Sequence, residues 1–412
     1  MQEPAQEPIR AALDDELKAA LGDAIELSQA PSPWLDALGL DASARIPLAS
    51  PRDEEAASAL ISWAGRRARA FAIAGGATKL ATGAAPASCS FVLGTKYLSQ
   101  VFDFDVGNTT IEAGAGITLR ELDAFTRQQR QFVPLESLAN STLGGVASSN
   151  ASGTRSLKWG TPRDLVLGAR ALLSDGRQVR GGGKVVKNVA GYDLPKLFVG
   201  CRGSLGLLTR LTLRLRPLPE RALRLAWACG SLSQAEQLWQ LLEGREFEWS
   251  GLRAEFQGRS WQLLAWCEGS ERAVAHQLER APQAASVEDA EGVECQDAWP
   301  EAVQVSARLP RTEARPWLEA ASRSGARRLS WECASGSVRA GWDEVAWEPL
   351  AALREAAQTS GGWMILENGP RDWKSWERVW GARRSDWPLM QRLKAAYDAA
   401  NVCAPGRFAG GL

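Results

Sequence analysis

The sequence is poor in the residues on which much metal and hydrolytic chemistry depends. Its 412 residues include one histidine, His276. One imidazole leaves a single base for a Ser-His-Asp arrangement and cannot supply the set of histidine ligands of a catalytic zinc ion. His276 lies in a segment with helical spacing, where we expect it on an exposed helix face. The sequence therefore excludes histidine-based zinc catalysis within this chain, and it predicts no metal site.

Cysteine is present, but its spacing matches no metal-binding motif. None of the seven cysteines is paired with another at CxxC spacing, the spacing typical of many zinc and iron–sulfur sites. Their odd number and wide separation predict buried free thiols rather than disulfides. An iron–sulfur centre working with this chain would have to belong to another subunit.

Net charge and long apolar runs are also missing. The 48 basic and 48 acidic side chains cancel, so no bulk attraction draws the chain to nucleic acid or to an anionic membrane. No apolar run approaches the ~18 residues that span a bilayer, and the start lacks the apolar core of a secretion signal. These absences predict a cytoplasmic protein. The length of 412 residues allows roughly two or three domains.

Glycine, by contrast, is concentrated in two stretches. Gly75-Gly-Ala-Thr-Lys79 follows a strand-like segment, and a second stretch, Thr142 to Pro217, alternates glycines with strand-like runs. Without a Cβ, a backbone can approach a ligand closely or adopt a positive φ. Converging N–H groups, together with Thr78 and Lys79, suit an anion, although a simple tight turn explains the first stretch equally well. The glycines predict loops that wrap an extended cofactor on a largely β scaffold.

A third small-residue segment is not a dinucleotide-binding fingerprint. Gly114-Ala-Gly116 lacks the third glycine of that motif, and the following Thr118 to Glu121 has the pattern of a capping box that opens a helix. We therefore reject a Rossmann fold here.

The composition changes near residue 220, where Pro217 and Pro219 predict a domain boundary. Fifteen of the eighteen tryptophans follow it, and we expect most of them in a core or an interface. Two successive units have strand-helix-strand-strand-helix order, as in ferredoxin-like modules. Together they predict one antiparallel sheet with helices on one face.

The resulting division has four parts. Residues 1–44 are an N-terminal helical extension, 45–220 a first domain, 221–370 a domain of two βαββα units, and 371–412 a helical tail that returns to the first domain. In that tail, Arg407 is either a phosphate or carboxylate ligand or a plain surface residue.

These motifs resemble a known family. The order of Gly75-Gly-Ala-Thr-Lys-Leu, Thr142-Leu-Gly-Gly, Asn150-Ala-Ser-Gly, Gly191-Tyr-Asp-Leu and Gly203-Ser-Leu-Gly-Leu-Leu-Thr is similar to that of the vanillyl-alcohol-oxidase/PCMH-type FAD-binding domain. The segment from Lys187 to Gly200 more narrowly resembles the FAD-binding subunits E of bacterial glycolate dehydrogenase, also called glycolate oxidase. The resemblance covers residues 45–220 and, more loosely, Lys394 to Arg407.

The resemblance implies an α+β fold in which two subdomains hold an extended FAD, followed by a ferredoxin-like antiparallel cap domain. By this analogy, Gly75 to Lys79 would hold the pyrophosphate, and Thr142 to Gly153 would run beside the ribityl chain and the isoalloxazine. The third group, Gly203 to Leu207, would serve the adenine side. The implied cofactor-binding residues are Gly75, Gly76, Ala77, Thr78, Lys79, Thr142, Gly144, Gly145, Ser148, Asn150, Gly153, Gly203, Gly206 and Leu207.

Three departures from the family pattern shape the functional hypothesis. Ala77 stands where some members attach flavin to a histidine, so we expect noncovalent FAD. No histidine is available near the flavin as a metal ligand or base. Finally, Tyr397-Asp-Ala-Ala-Asn replaces the more usual Phe-Asp-Pro of the tail.

Removing a hydride from a 2-hydroxy acid requires a base for the hydroxyl proton and cations for the carboxylate. The candidates are Lys394, Tyr397, Glu367 and Arg384, and the sequence singles out none of them as catalytic. The preferred hypothesis is an FAD-binding subunit of a glycolate dehydrogenase complex, oxidising glycolate or D-lactate beside a second FAD-containing subunit and an iron–sulfur subunit. Such partners could also hold it at the inner membrane. The alternatives are a self-sufficient FAD-dependent 2-hydroxy-acid or alcohol dehydrogenase and a structural subunit that has lost FAD.

Overall fold

The computed structural model describes residues 7–183, 193–244, 247–290 and 298–412. The motif residues Gly191 and Tyr192 and the cysteine Cys295 lie outside these ranges. The helices are α1 (Glu7–Leu21), α2 (Ser32–Ala37), α3 (Glu54–Arg66), α4 (Leu119–Arg127), α5 (Leu143–Ser149), α6 (Ser156–Trp159), α7 (Pro162–Leu165), α8 (Pro195–Phe198), α9 (Leu232–Leu242), α10 (Glu271–Arg280), α11 (Arg311–Arg323), α12 (Trp347–Thr359), α13 (Trp376–Trp380) and α14 (Trp387–Tyr397).

The strands are β1 (Ile25–Gln29), β2 (Pro47–Pro51), β3 (Phe71–Ala74), β4 (Phe91–Gly94), β5 (Val101–Asp105), β6 (Thr110–Gly114), β7 (Gln131–Phe132), β8 (Val166–Leu172), β9 (Gln178–Gly182), β10 (Leu207–Arg214), β11 (Arg216–Pro217), β12 (Arg221–Cys229), β13 (Gly251–Gln257), β14 (Trp261–Gly269), β15 (Ser286–Asp289), β16 (Val303–Arg308), β17 (Arg328–Glu332), β18 (Ser337–Trp342) and β19 (Trp363–Asn368). This mixture of helices and sheets confirms the α+β class.

The first sheet has the strand order β1-β2-β4-β3, with β2, β4 and β3 parallel and β1 antiparallel at one edge. Helix α3 packs on it, and the Asp53 carboxylate accepts from the Ala56 backbone N–H at 2.8 Å to begin that helix. Residues 1–44, which the sequence predicts to be a helical extension, are not helical throughout, because they also contain a strand. Ile25 to Gln29 forms the edge strand β1, whose Ile25 is buried while its last two residues face solvent.

The second sheet is antiparallel, in the order β5-β6-β10-β8-β9. The predicted capping box opens α4, because Thr118 and Glu121 bond each other's backbone N–H groups. A turn at Ser174 to Gly176 joins β8 to β9. A small two-stranded sheet of β7 and β11 lies beside this unit.

The third sheet has eight antiparallel strands in the order β15-β12-β14-β13-β17-β18-β16-β19. Residues that alternate along its strands pack in one apolar core with helices α9 to α12, and tryptophans such as Trp331 and Trp342 are fully buried there. All ten predicted elements of the two βαββα units are present, with one further strand after the first unit, β15, and one after the second, β19. The predicted order of elements does not contain β15, which is four residues long and mostly exposed.

The opposite face of this sheet carries the polar residues. Strand pairing places Arg253, Glu332, Ser337 and Arg308 in one cross-strand row. The next row contains Glu255, Ser330, Arg339 and Ser306. Because side chains alternate between the faces of a strand, these rows all point away from the helices. The sheet therefore has one apolar face and one polar face.

The C-terminal residues return to the first sheet. The Phe71 backbone N–H donates to the Val402 carbonyl at 2.9 Å, and the Ala404 N–H donates to the Phe71 carbonyl at 2.8 Å. Cys403 and Phe71 form a parallel bridge beside β3. This contact brings the residues after α14, including Arg407, next to the loop that follows β3.

Candidate functional site

A groove between the first two sheets is lined by both glycine-rich stretches. We call it the glycine groove. Of the residues predicted to bind the cofactor, it contains Gly75, Gly76, Ala77, Thr78, Lys79, Thr142, Gly144, Gly145, Ser148, Gly203, Gly206 and Leu207. Asn150 lines an adjoining cleft instead, and Gly153 is buried outside the lining of both. The structure thus brings together three stretches that are far apart in the sequence.

The glycines of the first loop are required by the packing of the two stretches against each other. A Cβ on Gly75 would lie 2.1 Å from the Thr142 hydroxyl, and one on Gly76 would lie 1.9 Å from the Asn140 carbonyl oxygen. Those separations are well inside van der Waals contact. The close approach that the sequence suggested for a ligand is therefore also an approach of one backbone to another, and it shapes one end of the groove.

Hydroxyl groups fix the second stretch beside that loop. Thr142 caps α5 by accepting from the Gly145 N–H at 3.3 Å. Ser141 lies 2.7 Å from both the Thr78 and the Ser137 hydroxyls. Side-chain hydrogen bonds of this kind position turns that no helix or strand ladder can hold. These bonds fix the positions of the two glycine-rich stretches, which form the walls of the groove, relative to each other.

Three cations line the glycine groove: Lys79, Arg202 and Arg407. No acidic residue is found among the lining residues that the structure describes. Burial lowers the pKa of Arg202 to about 10, and burial followed by the charge of Arg202 lowers that of Arg407 to about 10, so both remain charged at neutral pH. Buried charges need counter-charges, and an anionic group such as a pyrophosphate fits this wall.

The loop after Lys79 is held by cations from the C-terminal segment. Arg407 donates to the carbonyls of Leu80 and Ala84, the latter at 3.0 Å. Lys374, which is 4% exposed, donates to the carbonyls of Ala81 at 2.8 Å and Ala37 at 2.7 Å. Burial and then the neighbouring Arg407 lower the pKa of Lys374 to about 8. The sequence offered no signal for Lys374, because its partners are backbone carbonyls distant in the chain.

The glycine groove continues into a polar cleft of about 460 Å³ beneath the polar face of the eight-stranded sheet. We call it the arginine cleft. The two cavities share Lys79, Thr82, Ser149 and Arg202. The charged residues that line the arginine cleft are Lys79, Arg163, Arg202, Arg253, Arg308, Arg328, Arg339, Asp164, Glu255, Glu332 and Glu367. Cations outnumber carboxylates, so the cleft favours small anions.

Glu367 is the carboxylate where the two cavities join. It lies 3.1 Å from Arg339 and 4.0 Å from Lys79. Burial alone would raise the pKa of Glu367, but Arg339 and Lys79 together with weaker neighbours lower it to about 2. A carboxylate with so low a pKa stays ionised and is a poor proton acceptor at neutral pH. The sequence had named Glu367 as a candidate base, and its surroundings instead suit it to hold these two cations.

Glu332 is a carboxyl group of the same cleft with the opposite behaviour. Its Oε1 accepts from the Thr154 hydroxyl at 2.8 Å. Burial raises the pKa of Glu332 to about 7, although Arg253 and the Thr154 hydroxyl act in the other direction. Sequence reasoning missed Glu332, because a glutamate in an alternating strand looks like a solvent-facing residue until the opposing domain is known.

The other candidate bases from the sequence do not line either cavity. Lys394 is buried, 2.6 Å from Asp398, and donates to the carbonyls of Ser204 and Cys403 at 2.9 Å each. Tyr397 packs edge-on against Phe198. Arg384 is exposed and faces Asp386 at 3.6 Å. Lys394 and Tyr397 instead attach α14 to the loop before β10 and to α8.

The remaining expectations concern metals, thiols and membranes. No group of three or more metal-ligating side chains occurs in the described ranges. The six described cysteines are free, and all but Cys89 are buried; His276 is exposed on α10. Among the helices that the structure describes, none has the length and apolarity needed to cross a bilayer.

Comparison with protein families identifies the first part of the chain. Residues 47–182 match the family model described as an FAD binding domain. The match spans β2 to β9 and includes the two stretches that meet at Gly75 and Thr142. It confirms the resemblance to FAD-binding proteins and FAD as the cofactor, and the open, cation-lined glycine groove fits that group.

Curated relatives match less than half of the chain. The chain is 39% identical over 168 residues to D-lactate dehydrogenase of Archaeoglobus fulgidus, covering 40% of this chain and 38% of that protein. It is 34% identical to glycolate oxidase subunit GlcD of Bacillus subtilis, covering 42% and 37% respectively. With glycolate oxidase subunit GlcE of Escherichia coli the identity is 33%, covering 43% of this chain and 51% of that protein. The matched segments thus span about half or less of these relatives' own length.

The whole fold also has a solved counterpart. Alkyldihydroxyacetonephosphate synthase superimposes with a TM-score of 0.70 over 98% of this chain and 86% of that one. The sequence identity is 14%, so this likeness concerns the fold alone. It extends through the eight-stranded sheet, beyond the segment that the family model matches.

Proposed function

Because residues 47–182 form an FAD-binding domain, we propose that this chain is the FAD-binding subunit of a dehydrogenase for small 2-hydroxy acids such as glycolate or D-lactate. The observation that carries the proposal is the continuity of the glycine groove with the arginine cleft. A flavin in the first would border a space in the second where cations exceed carboxylates. A small carboxylate substrate matches that space in charge.

In this proposal the residues of the glycine groove hold FAD. Gly75 to Lys79 would lie beside its pyrophosphate, Thr142 to Ser148 beside the ribityl chain and isoalloxazine, and Gly203 to Leu207 beside the adenine portion. Lys79, Arg202 and Arg407 supply the charge that a pyrophosphate requires. Ala77 offers no atom for covalent attachment, so binding is noncovalent.

Bound FAD would supply a two-electron acceptor for the hydride of an alcohol. The chain's contribution is to bind the substrate carboxylate and to keep it oriented in the cleft. Arg339 is suited to this task because Glu367, 3.1 Å away, fixes its guanidinium at the junction of the two cavities. The exposed Arg308, one row further along the sheet, adds positive charge to the wall of the cleft.

The proposed partners are a second FAD-containing subunit and an iron–sulfur subunit that passes electrons onward. The support is that two relatives bear the subunit names GlcD and GlcE of glycolate oxidase. A self-sufficient dehydrogenase is the second candidate. It is favoured by the arginine cleft, because this chain by itself then contains both a flavin groove and an anion-binding space.

Purification of the chain alone and together with its native partners tests these functions. We expect a yellow protein whose flavin is released by denaturation, which distinguishes noncovalent from covalent attachment. Under anaerobic conditions, glycolate or D-lactate should bleach the flavin of the complex. Bleaching in the isolated chain would instead select the self-sufficient enzyme, whereas failure to retain or rebind FAD would overturn both.

A further inference from the structure

We propose that Glu332 is the catalytic base of this chain and accepts the hydroxyl proton of the 2-hydroxy acid. The inference rests on the proposed function, since it assigns a residue to that same reaction. It answers the question raised by the lack of histidine, because a carboxylate in the right surroundings can replace an imidazole as proton acceptor.

Glu332 lies on the wall of the arginine cleft. The register of the sheet places Glu332 between Arg253 on β13 and Ser337 on β18, on the polar face that lines the arginine cleft. Its side chain reaches across to Thr154 of the loop that follows α5. Residues of the same loop, from Ser149 to Ser152, also line the cleft. Glu332 therefore lies where the sheet meets the FAD-binding domain.

A hydroxyl group of the opposing loop holds the carboxyl group of Glu332 in place. The Thr154 hydroxyl donates to Oε1 at 2.8 Å and fixes the group's orientation. Thr154 is itself buried, and its hydroxyl lies 3.5 Å from the Arg253 guanidinium. Oε2 is the oxygen that Thr154 leaves to receive a proton. A base oriented by a second group is the usual arrangement in proton-transfer sites.

The other carboxylates of the arginine cleft have different surroundings from those of Glu332. Glu367 is held ionised by Arg339 and Lys79. Glu255 lies 3.2 Å from Arg253 and accepts from the Gln262 amide at 2.7 Å. Asp164 accepts from both the backbone N–H and the hydroxyl of Thr161 at 2.8 Å, which lowers its pKa. Each of the three is already engaged by a cation or by hydrogen-bond donors.

Glu332 experiences a different balance of groups. Burial and the neighbouring carboxylate Glu136 favour its protonated form, while Arg253, the Thr154 hydroxyl and Arg339 favour its charged form. The result is a pKa of about 7, so that the group can take up and release a proton near neutral pH. Carboxyl groups whose environments separate their pKa values, as for Glu332 and Glu367, are a recognised sign of different roles in one site.

The proposed step removes a proton and a hydride from the substrate. The O–H bond of the substrate hydroxyl breaks, and its proton forms an O–H bond with Glu332 Oε2. FAD, when bound, would accept the hydrogen of the carbon that bears this hydroxyl, together with both electrons of its C–H bond, and a C=O bond would form. The product is a 2-oxo acid. Release of the proton from Glu332 to solvent restores the carboxylate for the next turnover.

The test compares Glu332→Gln with Glu288→Gln in the FAD-loaded protein, with its partners present. Glu288 lies on β15 of the same sheet, where it forms an exposed ion pair with Arg224, so it is a matched control outside both cavities. Glutamine keeps the size of Glu332 and an oxygen for Thr154, but cannot accept the proton. Flavin reduction by glycolate and D-lactate is followed by anaerobic stopped-flow absorbance across the pH range that includes about 7.

We expect Glu332→Gln to bind FAD normally and to slow flavin reduction by about 10²-fold or more. The rise of the rate near pH 7 should disappear in this variant and persist in Glu288→Gln. A second readout is independent of turnover. In the unmodified protein, the infrared band of a protonated carboxyl group should disappear as pH rises through about 7. The same band should be missing at every pH in Glu332→Gln.

The outcomes separate the two levels of the proposal. A flavin-loaded, unmodified complex that none of these acids reduces would overturn the proposed function. Reduction of Glu332→Gln at the normal rate and with the normal pH profile would overturn the role of Glu332 alone. A slower rate with an unchanged pH profile would also do so, because it would indicate a structural effect rather than loss of the proton acceptor.

Discussion

Arg155 and Glu268 form a buried ion pair, with 2.7 Å between Nη1 and Oε1 and side chains that are 4% and 1% exposed. Arg155 follows the loop of the FAD-binding domain, and Glu268 lies on β14 of the eight-stranded sheet. Glu136 accepts from the backbone N–H of Arg155 at 2.7 Å, and Trp159 donates to the second oxygen of Glu268 at 2.7 Å. This cluster joins, through buried polar contacts, the two parts of the molecule that enclose the arginine cleft.

Replacing Arg155 by methionine should therefore destabilise the protein. It removes the cation that the buried carboxylates of Glu136 and Glu268 contact, and a broken buried pair typically costs about 3–5 kcal/mol. The free energy of unfolding from urea denaturation measures the loss. The matched control is Arg177→Met, whose partner Asp175 is about half exposed, and it should change stability by less than about 1 kcal/mol. Equal effects in the two variants would contradict the prediction.

Local patterns made most of the secondary structure of the second half predictable. The alternation of Trp331, Cys333 and Val338 with polar neighbours indicates strands with one buried face, and that face packs on the helices. Two of the strands that were not predicted, β1 and β15, are short edge strands, and their pairing partners rather than their own residues decide their conformation. Sequence reasoning was weakest where one short segment depends on another.

The same reasoning separates the parts of the candidate site. Gly75 and Gly144 were identifiable because glycine reports a local constraint on the backbone. Arg202, Lys374 and Glu332 were not singled out, because their roles depend on contacts across domains, such as that of Glu332 with Thr154. A charged residue carries no signal in the sequence for whether solvent or another domain covers it.

The contact between Gly76 and Asn140 predicts the effect of one methyl group. In Gly76→Ala, the new Cβ would lie 1.9 Å from the Asn140 carbonyl oxygen, so the loop must move away from the second wall of the groove. We expect a loss of about 1–3 kcal/mol in stability and a lower flavin content per chain. Absorbance of the purified protein measures the flavin. Gly107→Ala is the control, because its Cβ would meet only the Asp105 carboxylate at 3.7 Å; normal FAD content in Gly76→Ala would contradict the geometry.

Lys374 predicts a pH dependence of stability. Its pKa falls from 10.5 in an exposed lysine to about 8 in the folded protein. Between these values the unfolded chain binds more protons than the native one, so the contribution of Lys374 to stability rises with pH from about 8 to 10.5. The variant Lys374→Met lacks this rise, which amounts to up to about 3 kcal/mol.

Urea denaturation of the native protein and Lys374→Met at several pH values tests this. The difference between their free energies of unfolding should grow in favour of the native protein as pH increases through that range. Lys18→Met, at an exposed position of α1, should follow the native curve. Parallel curves for the native protein and Lys374→Met would show that the buried amine does not titrate abnormally.

Glu332 predicts the opposite slope in a lower range. Its folded pKa is raised from 4.5 to about 7, so the native protein binds more protons than the unfolded chain between these values. Its contribution to stability is fully present below about pH 4.5 and is lost as pH rises through about 7. Glu332→Gln, which keeps the neutral form at every pH, should gain about 1–3 kcal/mol over the native protein between these limits. The control Glu288→Gln should show no such gain. If the native protein and Glu332→Gln lose stability in parallel, Glu332 is ionised over this whole pH range in the folded protein and could not exchange a proton near neutral pH.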